Sequence, residues 1–172
     1  MSSTQGKLQM LGTFLPCIAF LLISQAAFAQ APVAARIDWF GIYTIDTKPE
    51  AADLDGKRSV SVPVKGESTD RVPGKEGVRF GFSYVLSVLS GKKGNKAAVR
   101  HVYRLPGAGM PGPHGFRSVF EQTREDVVGD PTLIGWSFAG APPDNILTGE
   151  WSLEVWQGDQ KVAEKKFTVF SP

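Results

Sequence analysis

Alternation of apolar and polar positions dominates the chain. From Val78 to Leu89, the residues Val78, Phe80, Phe82, Tyr84, Leu86 and Val88 take every second place, with Arg79, Gly81, Ser83, Val85 and Ser87 between them. A period of two marks a strand whose first set of side chains faces a core. A second strand is predicted over Arg36–Thr47 from Ile37, Trp39, Phe40, Ile42, Tyr43 and Ile45. Gly41 in its middle signals a bulge or a close backbone approach, and parity assigns Trp39 to the core. Ser59–Val64 reads as a short edge strand, because Pro63 cannot donate to a central ladder. Strands follow over Ala97–Leu105, Phe116–Thr123 and Leu133–Phe138. The chain closes with a hairpin in which Trp151, Leu153 and Val155 alternate with Ser152, Glu154 and Trp156. Gln157–Gln160 turns, and Lys161–Phe170 returns with Phe167 and Val169 on one face. Gln30–Ala35, Lys48–Arg58, Glu67–Glu76 and Pro106–Gly115 read as loops. Glu121–Val128 is the best window for a helix, and it is short. The fold class that follows is all-β, a two-layer antiparallel immunoglobulin-like β-sandwich of about 7–8 strands.

The first 29 residues follow a different pattern. Lys7 sits in a polar head, an apolar run extends from Met10 to Ile23, and Ala27-Phe28-Ala29 precedes Gln30. That is the layout of a secretory signal peptide cleaved after Ala29, leaving residues 30–172 as one domain. As a membrane anchor the run is interrupted by Gly12, Pro16, Ser24 and Gln25. Cys17 lies inside the run rather than after it, which argues against lipidation. Cleavage removes this single cysteine, so no disulfide is expected in an oxidising compartment. The expected location is the bacterial periplasm or the medium. The chain has 19 basic and 17 acidic residues. Losing Lys7 brings the mature domain close to neutrality, which gives no broad field for nucleic acid.

Four blocks carry a resemblance. They are Arg36–Tyr43 (RIDWFGIY), Val78–Phe82 (VRFGF), Arg100–Pro106 (RHVYRLP), and Gly149–Trp156 (GEWSLEVW) followed by Phe167-Thr168-Val169. Together they resemble a bacterial family of exported single-domain β-sandwich proteins classed as a domain of unknown function. The resemblance implies an envelope or secreted setting and brings no catalytic residues with it.

Motifs for specific chemistry fail on their contexts. Gly107–Gly112 matches G-x-G-x-x-G, but Pro111 and Pro113 remove N–H groups and no helical pattern follows. Gly135–Ala139 resembles a nucleophile elbow, with Ala139 where glycine belongs. Asp53-Leu54-Asp55-Gly56 lacks the remaining ligands of a calcium loop and reads as a turn. Asp38 and Glu154 are candidates for a carboxylate pair, although charged strand residues usually face solvent. Lys92, Lys93, Lys96 and Arg100 form the one local basic cluster, read as a solvated hairpin tip. His114 sits in a loop. No catalytic, metal or cofactor residues are assigned.

Three residues stand as candidates for ligand or partner contact. Trp156 falls opposite Trp151, Leu153 and Val155, on the outer face, where lysine stems such as Lys166 are expected to cover it. Trp136 has no clear face. His101 is read as a half-buried histidine bonded to a neighbour. The function expected is a noncatalytic binding or interaction module of the cell envelope, with an envelope protein or glycan as partner and no membrane span in the mature chain. The alternatives are a carbohydrate-binding module using exposed aromatics and an enzyme of unrecognised chemistry. Coplanar exposed rings would favour sugar, a pocket joining His101 to a carboxylate would favour an enzyme, and a long unpaired edge would favour a protein partner.

Overall fold

A computed structural model of the chain describes residues 33–49, 59–88 and 94–172. The leader, Asp53–Gly56, Lys92 and Lys93 lie outside the described residues. The strands are β1 (Val33–Pro49), β2 (Ser59–Lys65), β3 (Arg71–Pro73), β4 (Arg79–Val88), β5 (Lys96–Arg104), β6 (Met110–Gly112), β7 (Gly115–Arg117), β8 (Val119–Val127), β9 (Pro131–Ser137), β10 (Gly149–Gln157) and β11 (Gln160–Phe170). Pro143–Asn145 forms one 3-10 turn. Among the described residues no helix is long and apolar enough to cross a membrane.

Two sheets stack. One has the order β2-β1-β4-β9 and the other β3-β11-β10-β5-β8, while β6 and β7 form a separate small ribbon. Neighbours pair antiparallel except β3, which runs parallel to β11. The alternation of β4 works as its sequence demands. Phe80, Phe82, Tyr84 and Leu86 point inward and meet Trp151, Leu153 and Val155 of β10, all buried. Phe80 lies edge-on to Trp151 at 5.8 Å and to Phe167 at 5.1 Å. Each fully buried side chain of this size contributes roughly 1.5–3 kcal/mol.

The differences from the sequence reading are local. The strand β1 starts at Val33, inside the expected lead, and continues to Pro49. The Glu67–Glu76 loop contains β3, and the Pro106–Gly115 loop contains β6 and the start of β7. Each is only three residues long, too short to show a period. The stretch Phe116–Thr123 divides between two strands. Phe116 lies in β7 and is 70% exposed, whereas Phe120 packs on the core from β8. The helix candidate Glu121–Val128 is the extended body of β8, paired along its length with β5.

Candidate functional site

On β1 the register against β4 shifts between Ile37 and Trp39. Asp38 is the extra residue of a β-bulge, a device that re-aims side chains and recurs beside functional sites. Ile37 pairs with Tyr84 and Phe40 with Phe82, both facing the core. Trp39 pairs with Ser83 on the outer face instead. The parity that would place Trp39 in the core therefore fails at the bulge, and Trp39 is half-buried outside it. Tyr43 follows on the same outer face.

Three glycines lie in line beside it. Gly41 pairs with Gly81, and Gly81 with Gly135, forming one row across β1, β4 and β9. A Cβ on Gly135 would lie 2.5 Å from the Tyr43 hydroxyl, so the phenol ring occupies the space the row leaves empty. At Gly41 the φ of 142° and the Glu67 carbonyl, 2.0 Å from where a Cβ would sit, both demand glycine. That carbonyl accepts the Ile42 N–H at 2.9 Å. Gly41 thus serves the close approach expected of it, while the bulge falls three residues earlier.

One pair further along the same face, over the row Trp39–Ser83–Leu133, is a cavity of about 270 Å³, walled by Trp39, Tyr43, Pro63, Pro131 and Leu133, with Asp38, Lys65, Ser83 and Thr132 as its polar groups. Lys65 Nζ donates to Asp38 Oδ2 at 3.4 Å and stands 5.9 Å from the centre of the Trp39 ring. Burial raises the Asp38 carboxyl, but the Ser83 hydroxyl and Lys65 ammonium outweigh it and hold the group below its ordinary value. Burial pushes the Tyr43 phenol up, partly offset by Arg79. The site presents an ionised acceptor, a cationic donor and a hydroxyl beside an indole.

The residues singled out in the sequence lie elsewhere. Trp156 is half-buried on the outer face of the five-stranded sheet, between Arg100 at 5.7 Å and Lys161 at 5.9 Å from its ring. Lys166 does not cover it, being engaged with Glu150 at 2.8 Å. The indole Nε1 of Trp156 donates to Glu154 at 2.7 Å. Roofed also by Arg104, which donates at 2.9 Å, Glu154 is only 3% exposed despite its outward parity. Asp38 and Glu154 occupy the outer faces of opposite sheets and form no pair. Trp136 faces inward and packs on Trp151 at 5.2 Å and Tyr103 at 5.6 Å.

His101 is fully rather than half buried, at 1%. Its Nε2 lies 2.7 Å from the Tyr84 hydroxyl, which donates its one proton to Asp126 Oδ2. The phenol oxygen therefore accepts from Nε2–H, which fixes the tautomer. Arg124 Nε donates to Asp126 Oδ1 at 2.6 Å. Burial raises the Asp126 carboxyl, and contacts from His101, Tyr84 and Arg124 overcome that and lower it below its ordinary value. This cluster joins both sheets inside the sandwich, away from the Trp39 cavity. His114 is exposed at the β6–β7 turn. Of the basic cluster, Lys96 and Arg100 are paired with Glu125 and Glu121 of β8, at 3.2 and 3.5 Å.

The Trp39 site is not legible in the sequence because the bulge has no glycine to announce it, and because Lys65 and Ser83 reach it from other strands. The adjacent Trp39-Phe40, which breaks strict alternation, was the available signal.

Two stacked, almost wholly antiparallel sheets around one core define an immunoglobulin-like β-sandwich. A family model matches residues 32–169, and the chain belongs to that family, described as domain of unknown function (DUF3859). The chain is similar to an immunoglobulin-like protein of Pseudomonas aeruginosa known from a crystal structure. Identity is 28%, coverage is 83% of this chain and 99% of that chain, and the TM-score is 0.55. An alkylpurine DNA glycosylase of Pseudomonas fluorescens, bound to DNA containing an abasic-site analogue, aligns at 10% identity. It covers 82% of this chain and 31% of that chain with a TM-score of 0.40, a likeness that carries no argument. No curated protein matches the chain.

Proposed function

We propose that the protein is a noncatalytic binding module of the bacterial cell envelope, exported by its leader to the periplasm or beyond. Its ligand is held on the outer face of the four-stranded sheet. The observation that carries this reading is the gathering of Asp38, Lys65 and Ser83 beside the Trp39 indole in a concave site. Family and fold favour a noncatalytic role. The imidazole that meets a carboxylate does so inside the core, with side-chain exposures of 1% and 0%, where no substrate reaches it. The edge of β8 is nine residues long, yet it carries Glu121, Arg124, Glu125 and the inward-pointing Asp126. Such charges protect edges from strand addition, so the cavity is the better recognition surface.

Two measurements test the proposal. Expressed from its full gene in a bacterium, the protein should appear in the envelope or medium with Gln30 as its first residue by mass spectrometry. Recovery from the cytosol with an intact leader would refute export. Immobilised protein should retain envelope material that Trp39→Ala fails to retain and Trp156→Phe still retains. Equal retention by the Trp39 variant would refute the site.

A further inference from the structure

Asp38 and Trp39 border a second depression as well. A cavity of about 420 Å³ opens beside them at the edge of β1, between the two sheets, and is lined also by core-facing Ile37 and Phe40, by Ser68, and by Lys165 of β11, whose Nζ stands 3.7 Å from the centre of the Phe40 ring. Asp38 and Trp39 are thus shared by two adjoining hollows, one on the outer face and one at the edge of the sandwich. The first hollow is near the lower end of the roughly 300–1,000 Å³ usual for small-molecule sites. The charges on each side are balanced. Lys65 faces Asp38 at 3.4 Å on one side, and Lys165 lies 3.9 Å from Asp70 on the other. A phosphate would have to sit against the Asp38 carboxylate, and a polyamine against Lys65 and Lys165. A neutral polyhydroxyl ligand suits both hollows. Its hydroxyls donate to the carboxylate, accept from the ammonium groups, and do both with Ser83 and Ser68. Its C–H faces have the Trp39 ring to lie on.

We infer that the bulged edge of β1 binds a neutral oligosaccharide, one sugar ring in the outer hollow and the next in the edge hollow, both against Asp38 and Trp39. The inference rests on the binding-module reading and names its ligand. It requires at least two linked rings for full affinity.

The test uses the full chain and two neutral series of one to three units, glucose to cellotriose and N-acetylglucosamine to chitotriose. Saturation-transfer NMR detects contact and calorimetry measures affinity. In at least one series the disaccharide should bind about tenfold or more tighter than the monosaccharide. Trp39→Ala should abolish transfer, and Lys165→Ala should reduce the disaccharide to the affinity of the single sugar. Inorganic phosphate at equal concentration should not compete. Equal affinity of one and two units, binding unchanged in Trp39→Ala, competition by phosphate, or no binding by either series up to roughly 10 mM would each overturn the inference. If neither series binds but retention of envelope material still depends on Trp39, the saccharide inference falls and the binding module stands.

Discussion

Tyr84 does two jobs with one hydroxyl. It leaves β4, crosses the core, and ties Asp126 of β8 to His101 of β5. Replacing it by Phe keeps the ring and takes the Tyr84 partner from His101 Nε2 and from Asp126 Oδ2, while Arg124 still holds Oδ1; a buried polar group left unpaired costs about 1–3 kcal/mol. Tyr84→Phe is therefore expected to lower unfolding free energy by about 1–3 kcal/mol in urea titrations, and an unchanged midpoint would dismiss the network as a source of stability. Asp126 adds a pH signature. Its carboxyl titrates below the ordinary 3.8. Its contribution is thus complete above about pH 3.8 and disappears as pH falls through the depressed folded value. Asp126→Asn should be less stable at neutral pH and should flatten this part of the acid limb in melting curves. The sequence puts His101 in a strand with inward neighbours, a position that implies a bond to a neighbour. Its partner was not legible, because Tyr84 sits on the opposite sheet and Asp126 in a charged run without alternation.

At the scale of strands, the long ones were readable and the short ones were not. The inward rows of β4 and β10 repeat faithfully, because core burial enforces a period of two. The bulge at Asp38 breaks that bookkeeping, so the same rule sent Trp39 to the wrong face and hid the cavity. Edge position was legible for β2 through Pro63 but not for β8, whose charges resembled a helical surface. Those charges have a consequence of their own. Glu121 and Glu125 stand exposed on the rim of the five-stranded sheet, where a flat apolar edge would recruit other chains. The double variant Glu121→Val with Glu125→Val is expected to self-associate on warming, seen as rising light scatter below the melting temperature. A clear, monomeric solution up to that temperature would show that the edge is protected in another way.

For the molecule as a whole, two sheets with distinct outer faces divide the labour. The five-stranded sheet covers its outer face with ion pairs around Glu154, so Trp156 is spoken for. The four-stranded sheet carries Gly41, Gly81 and Gly135 in line and a hollow beside Trp39 on its outer face. Gly81→Ala tests how tightly this face is built. Its Cβ would come within 2.2 Å of the Ile134 carbonyl, so β9 must move, at a cost of about 1–3 kcal/mol. Thermal melting should show the loss, and a melting point equal to that of the parent would mean that the strands yield freely. The glycine row also acts during assembly. The three align across β1, β4 and β9, with Gly135 against the Tyr43 ring, only when each of these strands is seated in this register. A slip by a single residue would slide a bulky side chain under the phenol and lift it. The ring is therefore a gauge of alignment that closes over a finished sheet and stays open over a misthreaded one.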